Sequence, residues 1–137
     1  MASRVFDVTE LDGFARNMQR SAQQFQRQQK AFMRKEGTKL KNKTLRRART
    51  LGRKTGNYLK SIKRGKVYQY NGAQAVRVYS TAPHAHLIEE GHRMVTHDGR
   101  EVGFVPGHHV FEIAGTEFEA QYMTDVDDFL DREVGNL

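Results

Sequence analysis

Three histidines and two glutamates crowd into nine positions of one stretch, TAPHAHLIEEGHRMV: His84, His86, Glu89, Glu90 and His92. Imidazole and carboxylate are the side chains that ligate zinc and that exchange protons near neutral pH. His84 and His86 form an H-x-H pair, and on a strand two such residues point to the same side. His108 and His109 stand further along and could add a ligand. Against a metal site, the chain has no H-E-x-x-H, the pattern that places two histidines on one helix face. Glu89 and Glu90 follow at a spacing that matches no ligand set. Glu89 or Glu90 with His86 or His92 also makes a candidate acid–base pair of the kind a small nuclease uses. Yet Ser61, Ser80 and Thr81 sit in no nucleophile elbow, and no glycine-rich phosphate loop is present. The residues favour a structural reading: Glu89 and Glu90 on a short helix, one capping or pairing with an arginine and the other solvated. That reading needs no catalytic residue, metal or cofactor.

The elements around this stretch decide what can meet it. A chain of 137 residues is read as one α+β domain, 1–137. It has no cysteine, which excludes a disulfide scaffold and thiolate metal sites. No apolar run approaches the roughly 18 residues of a membrane span, and MASRVFDVTELDG lacks the apolar centre of a signal peptide. The expectation is an intracellular protein without membrane contact. Its charge is divided. Residues 1–66 carry 19 Lys/Arg against 4 Asp/Glu, and residues 67–137 carry 4 against 12. A basic half suits nucleic acid, and a chain with one pole of each sign also suits head-to-tail packing of copies.

Residues 3–7 read as a short strand or lead-in, and Thr9 with Asp12 as a capping box with Asp in the usual Glu position. Leu11, Phe14, Ala15, Met18, Ala22, Phe25 and Phe32 then recur at helical spacing, continued by Leu40, Leu45, Ala48 and Leu51. This predicts a basic helix over 10–54, buried on one stripe. Unbroken, it would be roughly 60 Å long, against a radius of gyration near 14 Å for a compact chain of this size. A break at Gly37-Thr38 is therefore expected, with the second piece exposed. Gly56 after Thr55 ends the helix, and Tyr58, Leu59 and Ile62 return to the core.

Hairpins and a short helix are expected over 65–105. KVYQY and AVRVYS flank Asn71-Gly72-Ala73-Gln74, a turn signal. Pro83 stops the second strand, Ala85–Gly91 makes a helical turn, and HRMVTH with REVGFV makes a second, exposed hairpin around Asp98-Gly99. Pro106-Gly107 ends it. From Val110, helical spacing returns through Phe111, Ala114, Phe118, Tyr122, Val126, Phe129 and Leu130, giving an acidic helix over 110–133. The expected sheet is antiparallel, with helices on one face.

Three stretches carry a resemblance: TGNYLKSI, STAPHAHLIEEGHRMV and FVPGHHVFEIA, in this order after a long amphipathic helix. Together they resemble the tailed-bacteriophage neck family of tail-completion or head–tail joining proteins, over about Leu11 to Phe118. The matching residues are Thr55, Gly56, Leu59, Ser61, Ile62, Ala82, Pro83, Ala85, Leu87, Glu89, Gly91, Pro106, Gly107 and Phe111, while the histidine richness exceeds the general pattern. The resemblance implies a long helix against an antiparallel sheet and no enzymatic activity. It implies a ring of about six copies in the virion neck, between the head connector or adaptor and the tail tube or tail terminator. On that reading Lys39, Lys43, Arg46, Arg47, Arg49, Arg53 and Lys54 are interface residues. They would face Glu117, Asp125, Asp128 and Asp131 of a neighbouring copy, or the DNA end. A basic DNA-binding protein using residues 39–66, or a nuclease at the histidines, are the alternatives.

Overall fold

A computed structural model describes residues 8–51 and 56–135 of the chain. The expected lead-in strand, and Arg53, Lys54 and Thr55, lie outside these residues. Among the described residues the architecture is α+β: two long helices, two short ones and three small antiparallel ladders.

Helix α1 runs from Val8 to Arg49 without a break. The expected interruption at Gly37-Thr38 does not occur, and Thr9 lies inside the first turn rather than before it. A helical glycine costs about 1 kcal/mol relative to alanine, but here it permits close packing. A Cβ on Gly37 would stand 2.9 Å from Arg64 Cδ and 3.1 Å from Val76 Cγ2. The distribution of burial is also the reverse of that expected. The second piece holds Glu36, Gly37, Thr44 and Ala48 buried, with Leu40, Leu45 and Leu51 partly so, whereas Leu11, Phe14 and Met18 of the first piece are exposed.

Helix α1 closes on Thr50 and Leu51, whose N–H groups donate to Arg47 and Ala48 carbonyls. Gly56 opens helix α2 (Gly56–Ser61) rather than ending α1. Strand β1 (Ile62–Arg64) follows directly and pairs with β4 (Val78–Ser80). Between them β2 (Tyr68–Tyr70) pairs with β3 (Ala73–Ala75). The turn is the two residues Asn71 and Gly72, at φ 50° and 80°, the positive pair that a tight hairpin requires. The run AVRVYS is thus divided between two partners, because Val76 leaves the ladder to pack on Gly37. Helix α3 (Ala85–Glu90) leads into a second hairpin, β5 (Gly91–Val95) with β6 (Glu101–Pro106). Helix α4 (Val110–Gly135) ends the described chain. Among the described residues the ladders stay three separate pairs and do not join into the single sheet expected.

Helices α1 and α4 lie antiparallel. Phe32 stacks on Phe129 at 4.6 Å between ring centroids, and Phe25 stands 6.0 Å from the same ring. Nearer the other end, Lys43 and Arg47 reach Glu117. The core sits at the C-terminal end of α1, where Ala48, Tyr58, Ile62 and Val110 are buried among Leu45, Leu59, Val78, Ala82, Ile88 and Phe111.

Candidate functional site

The histidine–glutamate stretch folds as a joint between elements. His84 and His86 lie before and inside the first turn of α3 rather than on a strand, and His92 lies on β5; all three are exposed. Among the described residues the metal-capable groups that come within 4.8 Å of one another are Glu89, His109 and Glu112, a different set. Both carboxylate oxygens of Glu89 are already engaged. Phe111 N–H donates to Oε1 at 2.9 Å and Glu112 N–H to Oε2 at 3.0 Å. Glu89 therefore caps the first turn of α4, where unpaired N–H groups and the positive end of the helix dipole favour an anion. His109, at φ 48°, donates its backbone N–H to Glu89 O, and His108 does the same to Ile88 O. Glu90 is exposed. The carboxylate charge of Glu89 has one further effect. Together with burial, the larger cause, it pushes the Tyr58 hydroxyl up to about 12, so this ring stays neutral.

The two glycines of the joint have no room for a side chain. A Cβ on Gly91, at φ 90°, would lie 2.3 Å from Val105 O, and one on Gly107 would lie 2.3 Å from Glu89 O. The serine and proline motifs meet in the same region. Ser61 Oγ donates to Tyr58 O and lies 2.6 Å from Ser80 Oγ, which accepts from Ala82 N–H. Thr81 N–H donates to Ser61 O. Leu59, Ile62, Ala82, Ala85 and Phe111 pack in the core. The motif residues thus weld α2, β1, β4, α3 and the start of α4 together. The hydroxyls of Ser61 and Ser80 are spent on each other and on backbone groups, and the carboxylate of Glu89 on backbone N–H groups.

That arrangement belongs to a known pattern. The profile of the bacteriophage HK97-gp10-like tail-component family matches residues 12–91, from the first turns of α1 to the end of α3. The chain belongs to the HK97-gp10-like family. No curated protein and no solved structure gives a significant match. As an HK97-gp10-like protein the chain is a structural component of a phage tail, located in the virion and in contact with other virion proteins. Among the described residues no helix is long and apolar enough to cross a membrane.

In this HK97-gp10-like chain the charged residues expected at an interface divide into two groups. Lys39 Nζ lies 2.9 Å from Asp125 Oδ2 and 3.4 Å from Glu36 Oε1, and Lys43 and Arg47 each stand 3.9 Å from Glu117. These pairs form within one chain, along the α1–α4 seam. Arg46, Arg49, Asp128 and Asp131 make no ion pair among the described residues and are exposed. Arg46 and Arg49 line, with Lys39 and Lys43, a concavity of about 540 Å³.

Sequence reasoning missed Glu36. It is 3 % exposed, yet acidic. Burial, then a shared hydrogen bond with Asp125, pushes its carboxyl up to about 7, while the Lys39 ammonium holds Asp125 below the usual range. An acid next to Lys35 and Lys39 reads in a sequence as a solvated partner, so no local signal marks it as buried.

Proposed function

We propose that this tail component acts without catalysis as a single-domain neck protein, joining the head connector or adaptor to the tail tube or tail terminator as a ring of about six copies. The observation that carries this reading is the second hairpin. Met94, Val95, Val102 and Phe104 of β5 and β6 are large, apolar and exposed, while the joint at its base is tightly tied. Exposed apolar side chains on both faces of a firmly anchored hairpin make it a contact element for another protein. Family membership supplies the class of partner, other virion proteins.

The test is a phage whose copy of this gene is disrupted. Filled heads and separate, complete tails are expected by electron microscopy. A plasmid copy should restore joined particles, and a Val102→Glu/Phe104→Glu copy should not. Joined, infectious particles from the disrupted phage would refute the neck reading.

A second reading, contact with the DNA end, is favoured by the concavity lined by Lys39, Lys43, Arg46 and Arg49. It predicts duplex binding whose affinity falls steeply with salt. Arg46→Glu/Arg49→Glu should abolish that binding, measured by fluorescence anisotropy, and salt-independent binding would refute it.

A further inference from the structure

Residues 60–80, which hold β1 to β4, carry Lys60, Lys63, Arg64, Lys66 and Arg77 and no acid. Tyr68, Tyr70 and Tyr79 stand among them. Among the described residues none of these cations makes an ion pair. The ladders sort these side chains by face, because paired residues share a face and neighbours along a strand take opposite ones.

In the β1–β4 ladder Ile62 pairs with Ser80 and Arg64 with Val78. Ile62 is buried and the Arg64 stem lies against Gly37 of α1, so this set faces inward. Lys63 and its partner Tyr79 therefore face outward. Arg77, two residues before Tyr79, shares that face and holds its guanidinium over the Tyr79 ring, 5.5 Å from the centroid. In the β2–β3 ladder Tyr68 and Tyr70 share one face, and Gln69 and Gln74 the other. Gln74 turns inward: its Oε1 is buried, and it lines a cavity with Val76 and Gly37. Tyr68 and Tyr70 thus turn outward, 40 % and 63 % exposed. Ala75, the partner of Tyr68, lies two residues from Arg77, which joins the two outward faces. Lys66 is exposed in the connection between β1 and β2.

Within 60–80 the exposed large apolar residues are Tyr68 and Tyr70. An acidic protein would meet the cations but would find no aliphatic anchor beside them. A duplex would meet the cations too, yet it keeps its base faces stacked inside and leaves the rings in water. A single strand satisfies both, with phosphates for the cations and free bases for the rings. Tyr68 and Tyr70 are two strand residues apart, roughly 7 Å. That is about twice the 3.4 Å between nucleotides of a B-form strand, so each ring has space for its own base.

We propose that the outward face of these ladders binds single-stranded nucleic acid. Tyr68 and Tyr70 stack bases, and Lys63, Lys66 and Arg77 hold phosphates. The face shares no residue with the concavity of Lys39, Lys43, Arg46 and Arg49, so the inference stands apart from the duplex reading and from the neck reading.

The experiment is fluorescence anisotropy of a labelled thymidine oligomer of about 20 nucleotides, titrated with the full chain at low and high salt. Circular dichroism is the fold control. Binding should weaken steeply with salt. Tyr68→Ala/Tyr70→Ala should lose roughly tenfold or more in affinity. Tyr68→Phe/Tyr70→Phe, which keeps the rings, should stay within about twofold of wild type. Lys63→Glu/Arg77→Glu should also lose roughly tenfold or more and flatten the salt dependence, whereas Arg46→Glu/Arg49→Glu should bind as wild type. A uridine oligomer run in parallel separates RNA from DNA as the strand, and tight binding of either supports the proposal. A wild-type chain that binds neither oligomer at low salt overturns it. So does an alanine variant that binds as wild type, or a loss confined to Arg46→Glu/Arg49→Glu. Polyglutamate, which offers charge without bases, should compete poorly. Displacement as effective as that by unlabelled oligomer would assign the face to an acidic protein and overturn the proposal.

Discussion

The two halves of α1 share one amphipathic spacing and differ in everything that follows from it. From Phe32 to Ala48 the stripe meets Phe129, Tyr122, Phe118 and the buried cluster around Ile62, and its flanking lysines meet Asp125 and Glu117. From Leu11 to Met18 the same kind of stripe stays largely exposed, with Leu130 and Val134 of α4 beside it among the described residues. Helical propensity and periodicity are local properties, whereas a buried face needs a partner in space. Sequence alone gives the first and not the second. The more basic half is the better buried one because its charges lie to the sides of a stripe that α4 and β1 cover.

Changes in the tied half should be costly and changes in the bare half nearly silent in the isolated chain. The largest effect belongs to the joint. Gly107→Ala places a methyl 2.3 Å from Glu89 O, against backbone that cannot give way. It should leave the chain unfolded or molten by circular dichroism and proteolysis, and a cooperative transition near the wild-type midpoint would show that the joint yields. Next, Ile62→Ala, at a residue 2 % exposed, should lose about 2–5 kcal/mol in urea unfolding.

Glu89→Gln keeps the shape of the cap but removes its charge and replaces one acceptor by an amide, at two N–H groups of α4. A loss of about 1–3 kcal/mol is expected. A change near zero would mean that the cap is not used in solution.

Glu36 sharpens the comparison through pH. Its carboxyl is raised from 4.5 to about 7 in the folded chain, so above pH 4.5 the folded chain holds a proton that the unfolded chain has released. Stability contributed by this group is complete below pH 4.5 and declines as pH rises to about 7. Glu36→Gln should remove the decline. The variant should be more stable than wild type at pH 8 by up to about 3 kcal/mol, and the gain should vanish at pH 4. An equal gain at both pH values would exclude titration as the cause. The smallest effect is expected at the bare end: Phe14→Ala should change unfolding of the monomer by less than about 0.5 kcal/mol. A loss of 2 kcal/mol or more, of the size a buried phenylalanine gives, would mean that Phe14 is covered within one chain.

The long helices were legible because their periodicity is sustained, and α3 and the second hairpin because Pro83, Gly91 and Asp98-Gly99 punctuate them. Asn71-Gly72 marked its turn, although the strands around it are shorter than their residues suggest. Pairing of β1 with β4 was not legible: Ile62-Lys63-Arg64 has no alternation of its own, and its partner Val78–Ser80 lies beyond another hairpin. Gly37 reads locally as a helix breaker, and its use as a notch depends on Arg64 and Val76. Of the candidate site, the structural role of Glu89 was expected, but its target, the first turn of α4, is 22 residues away. The acid–base partners offered by His86 and His92 fail to meet it because α3 and β5 point them outward.

The unbroken course of α1 makes it a shaft. Near its middle, Gly37 is keyed against Arg64 and Val76, and that key sets the angular phase of every residue upstream. The azimuth at which Phe14 and Met18 emerge is therefore fixed some two dozen residues away from them. One residue inserted between Met18 and Gly37 would turn the projecting tip by about 100° and advance it by about 1.5 Å, leaving the keyed end undisturbed. A tail component built this way can re-index the face its tip presents without rebuilding its body.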